Sequence, residues 1–360
     1  MTKRPRLPLR RRARGAAILI AMLIMTLVAT LAAGMVWLQW RGIEVESAER
    51  ARGQGEWLLN AALDWGNLIL KSQVRNGHID DDLTQPWATP LADTKLSSFL
   101  SADGSHTDDG DSGPEAYLSG QISDEASRYN IYNLVAGNPR EEALRLAQLC
   151  TAIGVSTQVA SQIASGMNES YSAQTQNAAT PGQAQSGTAP LMPQRLTDLT
   201  WFGIDAKTIK QLEPFLTIYP IAIGTPAPVN TNTATAEVIM VAIPQATLSQ
   251  AQQIVQRRTS KPFADINDAR SAGGIAAAGA APPANGGAGA GPNTGGGSAS
   301  NAAPSAVTTD LSTVKSDFFE IYGQLRYEQH VIRERSVVHR ELNGNVTVLH
   351  RERLPPDEPT

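Results

Sequence analysis

Hydrophobic positions follow several regimes along this chain. From Ala16 to Trp40 no residue is charged. As a helix rising 1.5 Å per residue, those 25 residues would measure about 37 Å. A bilayer core of roughly 30 Å is spanned by such a helix with some tilt. Past Trp40 the run becomes amphipathic: Leu58, Ala62, Trp65 and Ile69 recur at helical spacing, with Leu59, Leu63, Gly66 and Leu70 beside them. Gly53 and Gly55 weaken its middle, each by up to ~1 kcal/mol. One helix from 16 to about 75, roughly 90 Å long, is expected, its second half packed on a core.

Residues 76–115 are polar and rich in turn residues, so they read as irregular. Glu115–Leu134 reads as a strand, a turn and a second strand. From Asn138 the period turns helical, with Asn138 as N-cap, Pro139 in the first turn, and Glu141 and Glu142 near the positive helix end. A second helix follows in "STQVASQIASGMNESY", then a linker, "SAQTQNAATPGQAQSGTAP". "LTDLTWFGIDAKTIKQLEPFLTIYP" predicts two short helices and an exit strand. Residues 271–309 are Ala, Gly, Pro, Ser and Asn without periodicity, and read as a disordered insertion. Near the end, Phe319, Ile321, Leu325, Tyr327 and Val331 alternate with polar residues as in a half-buried strand, and Asn343-Gly344 signals a hairpin.

Composition changes this picture little. The net charge is −4 over 360 residues, which makes no whole-chain case for nucleic acid. The placement of charge is more telling. Residues 1–15 carry Lys3, Arg4, Arg6, Arg10, Arg11, Arg12 and Arg14 and no acid. A basic N-terminus ahead of an apolar span holds that end in the cytoplasm and sends the rest across. A secretory signal peptide also starts with basic residues, but its apolar core is about 7–15 residues long. The core here is longer, although "LAAG" (Leu31–Gly34) imitates a late cleavage site.

Candidate chemistry is sparse. The lone Cys150 lies in a helical pattern and reads as a small buried hydrophobe. Asp103, Asp108, Asp109 and Asp111 form an oxygen-rich loop that leaves calcium open as a cofactor, but the spacing is not that of an EF-hand and no glutamate closes it; a solvated loop is expected. Asp124 and Glu125 are adjacent carboxylates on a turn, expected to be solvated. His330, His339 and His350 fall on strands and are expected to be exposed rather than metal-ligating. No nucleophile–base pair, phosphate loop or metal cluster is evident, so no catalytic residue is assigned and the chain is expected not to be an enzyme.

The boundary at Gly15 carries a resemblance. A basic leader ending in glycine, followed at once by an apolar helix, resembles the class III signal of type IV pilins and type II secretion pseudopilins. The resemblance implies cleavage by a prepilin peptidase between Gly15 and Ala16, with methylation of the new N-terminus. The family usually carries glutamate five residues after the cut; here that position is Ile20. A carboxylate in an apolar bundle is costly unless paired, and its loss resembles the K component (GspK family) of minor pseudopilins. Asp124, Glu125, Arg128, Asn130, Asn133 and Leu134 match a strand-turn stretch common in K components.

Val229–Ala269 resembles a helix-hairpin-helix module, a fold that often grips DNA phosphates. That grip needs hairpin glycines whose N–H groups approach the anion. In "IPQATLSQA", Gln245 and Thr247 stand there instead, and Ile221–Arg270 holds only Arg257, Arg258, Lys261 and Arg270 against Glu237, Asp265 and Asp268. Protein scaffolding is therefore favoured over DNA binding.

The expected fold is α+β: a pilin-like long N-terminal helix packed on an antiparallel sheet, with an inserted all-helical (SAM/helix-hairpin-helix-like) domain. The expected divisions are a leader (1–15), a transmembrane or fibre-core helix (16–40), its amphipathic continuation (41–75), a pilin-like α/β domain (76–135 and 310–353), a helical insert (136–270) and a disordered insertion (271–309). The resemblance implies a minor pseudopilin at the tip of a periplasmic pseudopilus, helping to initiate it for protein export. The implied partners are I, J and H type minor pseudopilins, the prepilin peptidase and the inner membrane, with no nucleic acid. The alternative is a membrane-anchored helix-hairpin-helix DNA-binding protein of an uptake system.

Overall fold

The structure, a computed structural model, describes residues 14–75, 77, 80–95, 116–179, 190–276, 307–327 and 330–355. The chain divides into two compact units, residues 1–58 and 59–360. The described part of the first unit is the N-terminal stretch of helix α1 (Arg14–Arg75). Its side chains from Ala16 to Arg50 are all exposed. Thr26 and Thr30 return their hydroxyls to the carbonyls of Leu23 and Leu27, so neither adds an unsatisfied donor to the apolar surface. Helix α1 runs unbroken through Gly53 and Gly55.

In the second unit, a five-stranded antiparallel sheet takes the order β1-β2-β7-β8-β9: β1 (Leu91–Lys95), β2 (Ala116–Asp124), β7 (Phe318–Tyr327), β8 (His330–Arg340) and β9 (Val346–Leu354). Strand β7 alternates as the sequence suggests. Phe319, Ile321, Leu325 and Tyr327 are buried on one face, and Glu320 and Tyr322 lie on the other. Residues 59–75 of α1 cover the first face. Leu63 and Leu70 join Trp87, Phe319, Ile321 and Val338 in one apolar cluster. The inward row is Leu59, Leu63, Gly66 and Leu70, while the neighbouring row flanks it, with Trp65 44% exposed. Gly66 allows a close approach here: a Cβ would lie 3.1 Å from the Ile321 side chain, which would have to give by a few tenths of an ångström. Gly323 plays the same part from the sheet, where a Cβ would meet Leu59 at 2.9 Å. Fully burying one such leucine stabilises by about 1.5–3 kcal/mol.

The described part of the chain between β2 and β7 leaves this sheet. It comprises β3 (Tyr129–Asn130), α2 (Asn133–Ala136), α3 (Pro139–Ala152), α4 (Thr157–Ala179), a 3₁₀ helix (Leu196–Phe202), α5 (Ala206–Leu212), β4 (Leu216–Thr217), β5 (Val229–Asn230), α6 (Ala236–Ala242), α7 (Leu248–Ser260), α8 (Ile266–Ala272) and β6 (Ser312–Thr313). Two short parallel ladders, β3 with β4 and β5 with β6, tie it together. Its core includes Tyr129, Leu146, Leu149, Cys150, Ile163, Met167, Leu199, Leu212, Val238 and Ile254. Asn138 caps α3, accepting from the Arg140 N–H at 3.2 Å, with Pro139 at the first position.

Several expectations need correction. The second strand anticipated before Leu134 shrinks to Tyr129–Asn130 and joins β4, not the sheet. The cause is side-chain chemistry: Asn130 donates to the Tyr219 carbonyl (2.8 Å), and Asn133 exchanges bonds with the backbone of Ala227 (3.1 and 2.7 Å). These asparagines spend their polarity on the helical region and draw the chain away. Residues 91–95, read as irregular, form the edge strand β1. The polar turn before it is not solvated, since Asp81, Asp82, Gln85 and Trp87 are buried. Ends of the stretch read as disordered are built in: α8 reaches Ala272 and Val307 is buried. Residues 277–306 and the acidic loop with Asp103, Asp108, Asp109 and Asp111 lie outside the described residues. His339 is not freely exposed; it stacks on Phe318 with ring centroids 4.6 Å apart, and His350 is partly covered.

Candidate functional site

Two places concentrate the informative residues. The first is the start of α1. Gly15 and Ala16 lie in its first turn and Ile20 one turn on, with the Ala16 and Ile20 side chains exposed. Among the described residues this is the one helix long and apolar enough to cross a membrane, judged by length and composition. At Ile20, an apolar side chain extends the run. Further on, the Arg41 guanidinium sits over the Trp37 ring at 5.8 Å, pairing an interfacial aromatic with a cation.

The second is the end of β2, where Asp124 and Glu125 stand. Both were expected to be solvated, yet they are 3% and 2% exposed. The adjacent carboxylates point into different halves of the helical region. Asp124 Oδ2 accepts from Asn230 (3.0 Å), the Ser316 hydroxyl (2.6 Å) and the Thr233 hydroxyl, while Oδ1 accepts from the Ala126 N–H (2.8 Å). Asn230 also donates to the Asp81 carbonyl at 2.9 Å. The Asp81 carboxylate in turn accepts from Ser316 N–H (2.9 Å) and Arg340 (2.7 Å). Burial pushes Asp124 up to about 6, against the pull of the Ser316 and Thr233 hydroxyls, with the Asp81 charge adding to the rise. Burial also raises Asp81, although Arg340 opposes it.

Glu125 faces the other half. It accepts from the Thr217 hydroxyl of β4 and from Arg128 at 2.8 Å. Beyond it, Glu320, Arg335 and Glu352 from the sheet meet Arg195 from the 3₁₀ helix: Arg128 lies 4.0 Å from Glu320, Arg335 3.9 Å from Glu320, and Arg195 3.1 Å from Glu352. These groups line a cleft of about 410 Å³, with Lys210, Glu213 and His350 also on its walls. Burial, then the Glu125 charge, pushes Glu320 up to about 7. At Glu352 burial acts upward too, but Arg335 and Arg195 outweigh it and hold the carboxyl below its usual value.

The arrangement suits mechanical attachment better than catalysis. Both carboxyl oxygens of Asp124 are occupied, Oδ1 by the nearby Ala126 N–H and Oδ2 by donors from the 230–233 segment and from Ser316. Among the described residues no group of three or more His, Cys, Asp or Glu is placed to hold a metal. Burial raises the Cys150 thiol to about 11, which leaves it inert at neutral pH.

In the helix-hairpin-helix region, Gln245 adopts φ 62, the one positive-φ non-glycine residue among those described. It therefore occupies a glycine geometry without a glycine's openness. Thr247 caps α7, accepting from the Gln250 N–H at 3.3 Å. Arg258, a candidate phosphate ligand, donates instead to the carbonyls of Thr231 and Ala234, both at 2.6 Å. Arg270 pairs with Asp310. Two of the four basic residues are thus spent internally.

Comparison with known families follows the same division of the helical region. Two models described as type II secretion system protein K match, one over residues 127–221 and the other over 229–287. Both models describe protein K of that system, and together they span somewhat less than half of the chain. The matches support a minor pseudopilin, and nothing in them favours the DNA-binding alternative. Among solved structures, it is similar to a chain of the GspK-GspI-GspJ complex from the enterotoxigenic Escherichia coli type 2 secretion system. That match has a TM-score of 0.57 and 15% identity, covering 86% of this chain and 98% of that one. The likeness shows the fold: a long N-terminal helix, an antiparallel sheet and a helical insert. No curated protein matches.

The boundary between the two matched segments falls between β4 and β5. Asp124 grips the 229–233 side and Glu125 the 217 side. Sequence reading found both acids through the family pattern but missed Asp81, Asn230, Ser316, Glu320, Arg335 and Arg340. One signal was available: Asn230 and Asn232 in "VNTNT" are amides in a stretch flanked by apolar residues, and both are buried.

Proposed function

We propose that this minor pseudopilin caps a periplasmic pseudopilus and helps to initiate its assembly for protein export. In this reading, residues 1–15 are a leader removed between Gly15 and Ala16 by a prepilin peptidase. Residues 16–40 anchor the protein once in the inner membrane and later pack in the fibre, and 41–75 continue the helix. The N-terminus starts in the cytoplasm and the remainder lies in the periplasm. The protein acts by assembly and catalyses nothing. I, J and H type minor pseudopilins are its partners; the solved Escherichia coli relative is named as a complex with GspI and GspJ.

The observation that carries the tip assignment is the pairing of a charge-free helix lacking a carboxylate at Ile20 with a large helical insert between β2 and β7. A subunit without the buried carboxylate lacks the partner that would hold a neighbour's N-terminal amine. A head widened by the insert is poorly suited to repeat along a packed shaft. Both features suit one copy at an end. Immunogold labelling of assembled fibres tests this: label at one end per fibre is expected, and label repeated along the shaft defeats it. N-terminal sequencing of the membrane-inserted protein should find Ala16. A start at Ala33 or Gly34 would mean ordinary signal-peptide removal.

A further inference from the structure

Between α4 and the 3₁₀ helix lies a groove of about 470 Å³, lined only by residues of the insert. One wall is a stripe of α4. Gln158, Ser161, Gln162, Ser165 and Glu169 recur there at helical spacing, and all are exposed. At 1.5 Å per residue the stripe is about 16 Å long. Ser161 returns its hydroxyl to the Thr157 carbonyl (3.3 Å), but the side chains of Gln158, Gln162, Ser165 and Glu169 have no partner among the described residues. The other wall is aromatic. Phe202 sinks onto Gly166, where a Cβ would overlap its ring. Gly203, at φ 81, ends the 3₁₀ helix and donates its N–H to the Leu199 and Thr200 carbonyls. Together these fix Trp201 at the groove with half of its surface in water. Among the described residues it is the one exposed aromatic of the insert. A polar stripe alone is an ordinary solvated face. The half-exposed indole held beside it is what selects a ligand.

We propose that this groove binds an uncharged glycan, with one sugar ring stacked on Trp201 and the ring hydroxyls hydrogen-bonded to the α4 stripe. A sugar ring presents C–H groups on its face and hydroxyls around its rim. It therefore needs a flat apolar platform beside groups that both donate and accept. The indole is the platform. The Gln158 and Gln162 amides and the Ser165 hydroxyl donate and accept, and the Glu169 carboxylate accepts. The length of the stripe suits a chain of linked rings better than a compact solute. Charge argues against the other classes of ligand. The groove holds one ionisable group, Glu169, and no Lys, Arg or His, so phosphates and nucleic acid find no counter-charge. An apolar helix or strand would desolvate the stripe without returning hydrogen bonds. A cation would meet the Trp201 face and Glu169 but would leave the uncharged amides and hydroxyl unused. The site is independent of the tip assignment, since no lining residue belongs to α1 or to the five-stranded sheet.

Calorimetric titration of the full chain tests the site, in a detergent without a sugar headgroup, with cellotetraose and tetra-N-acetylchitotetraose as the probes. Saturable binding of at least one of these uncharged oligosaccharides by the wild type is expected. Trp201→Ala should weaken it by about tenfold or more, as truncating a central aromatic contact does. Trp201→Phe keeps a ring face and should recover part of that loss, and Gln162→Ala should weaken binding several-fold. Ile223→Ala, at another exposed apolar position of the insert, should bind as wild type. Absence of saturable binding of either probe up to about 10 mM overturns the proposal. So does equal binding by Trp201→Ala and wild type. Binding of a lysine-rich peptide in place of both sugars also overturns it, in favour of a cation on Trp201 and Glu169. Hydroxyl-radical footprinting of the wild type is independent of variant folding. Oxidation of Trp201 relative to Trp57, which is exposed and outside the groove, should fall when the bound oligosaccharide is added, and an unchanged ratio overturns the proposal.

Discussion

The two faces of the central sheet are held by opposite physics. Against α1, Phe319, Ile321 and Val338 meet Leu63 and Leu70, with Trp87 edge-on to Phe319 at 5.3 Å. Against the helical insert, the opposite face presents Glu320 and Arg335, while Asp124 and Arg340, on the same side as Phe319 and Val338, form a polar margin at the end of the first face with Ser316 from the segment before β7. Apolar contact is roughly proportional to area and indifferent to pH and to small sliding. Buried hydrogen bonds and ion pairs are directional, and any one left unmade costs the desolvation of a polar group. The first face supplies adhesion. The second supplies one orientation, at the cost of sensitivity to protons.

The sharpest break of this contrast is at the polar margin of the first face, where Arg340 lies over the Phe319 ring. Arg340→Ala removes the partner of a buried carboxylate, since Arg340 bonds Asp81 and the Ser316 carbonyl, both at 2.7 Å. Breaking such a pair costs about 3–5 kcal/mol, so denaturant unfolding of this variant should show one of the largest losses of any single change. Leu63→Ala probes the apolar centre of that face. A buried leucine truncated to alanine loses about 2–5 kcal/mol, and this loss should be the same at acid and neutral pH, whereas the Arg340→Ala loss should not.

A pH series on the wild type sharpens the comparison further. Asp124 is raised to about 6 and Glu320 to about 7 by burial. Both therefore favour folding in their neutral form. Their contribution is fully present below the unfolded carboxylate values and is lost as pH rises through 6 to 7. Glu352 and Glu141, held low, act oppositely and lose their contribution only as pH falls below the ordinary glutamate range. The melting temperature should thus be higher at about pH 5 than at about pH 8, and a flat or reversed profile would refute the protonation of the polar face. The smallest effect expected is that of Arg195→Ala. Arg195 is 51% exposed while bridging to Glu352, so its loss should cost under about 1 kcal/mol and shrink further in high salt.

Legibility in the sequence divided along the same line. Period and caps are local, and they located α1, α3 with its Asn138 cap, the 3₁₀ helix and α5, and the β8–β9 hairpin at Asn343-Gly344, where Gly344 adopts φ 80. The row of α1 that faces the sheet was less legible. Two neighbouring rows are both apolar, and only the partner surface, with Gly66 fitted against Ile321, selects between them. Asp124 and Glu125 read as solvated because adjacent acids on a turn usually are. Nothing local announces that Asn230, more than 100 positions away, will meet Asp124.

What the sequence alone determined is what neighbours along the chain decide: a charge-free stretch from Ala16 to Trp40 bounded by Gly15, helix starts set by caps, alternation in β7, and hairpin glycines replaced by Gln245 and Thr247. These follow from propensity and period, which act over a few residues. The tertiary structure alone decided that β1 completes the sheet, that the segment after Asp124 leaves it, and that an acid pair expected in water is buried between two halves of an insert. Burial depends on groups brought together from positions 81, 124, 230, 316 and 340, and pairing at that sequence distance leaves no periodic trace.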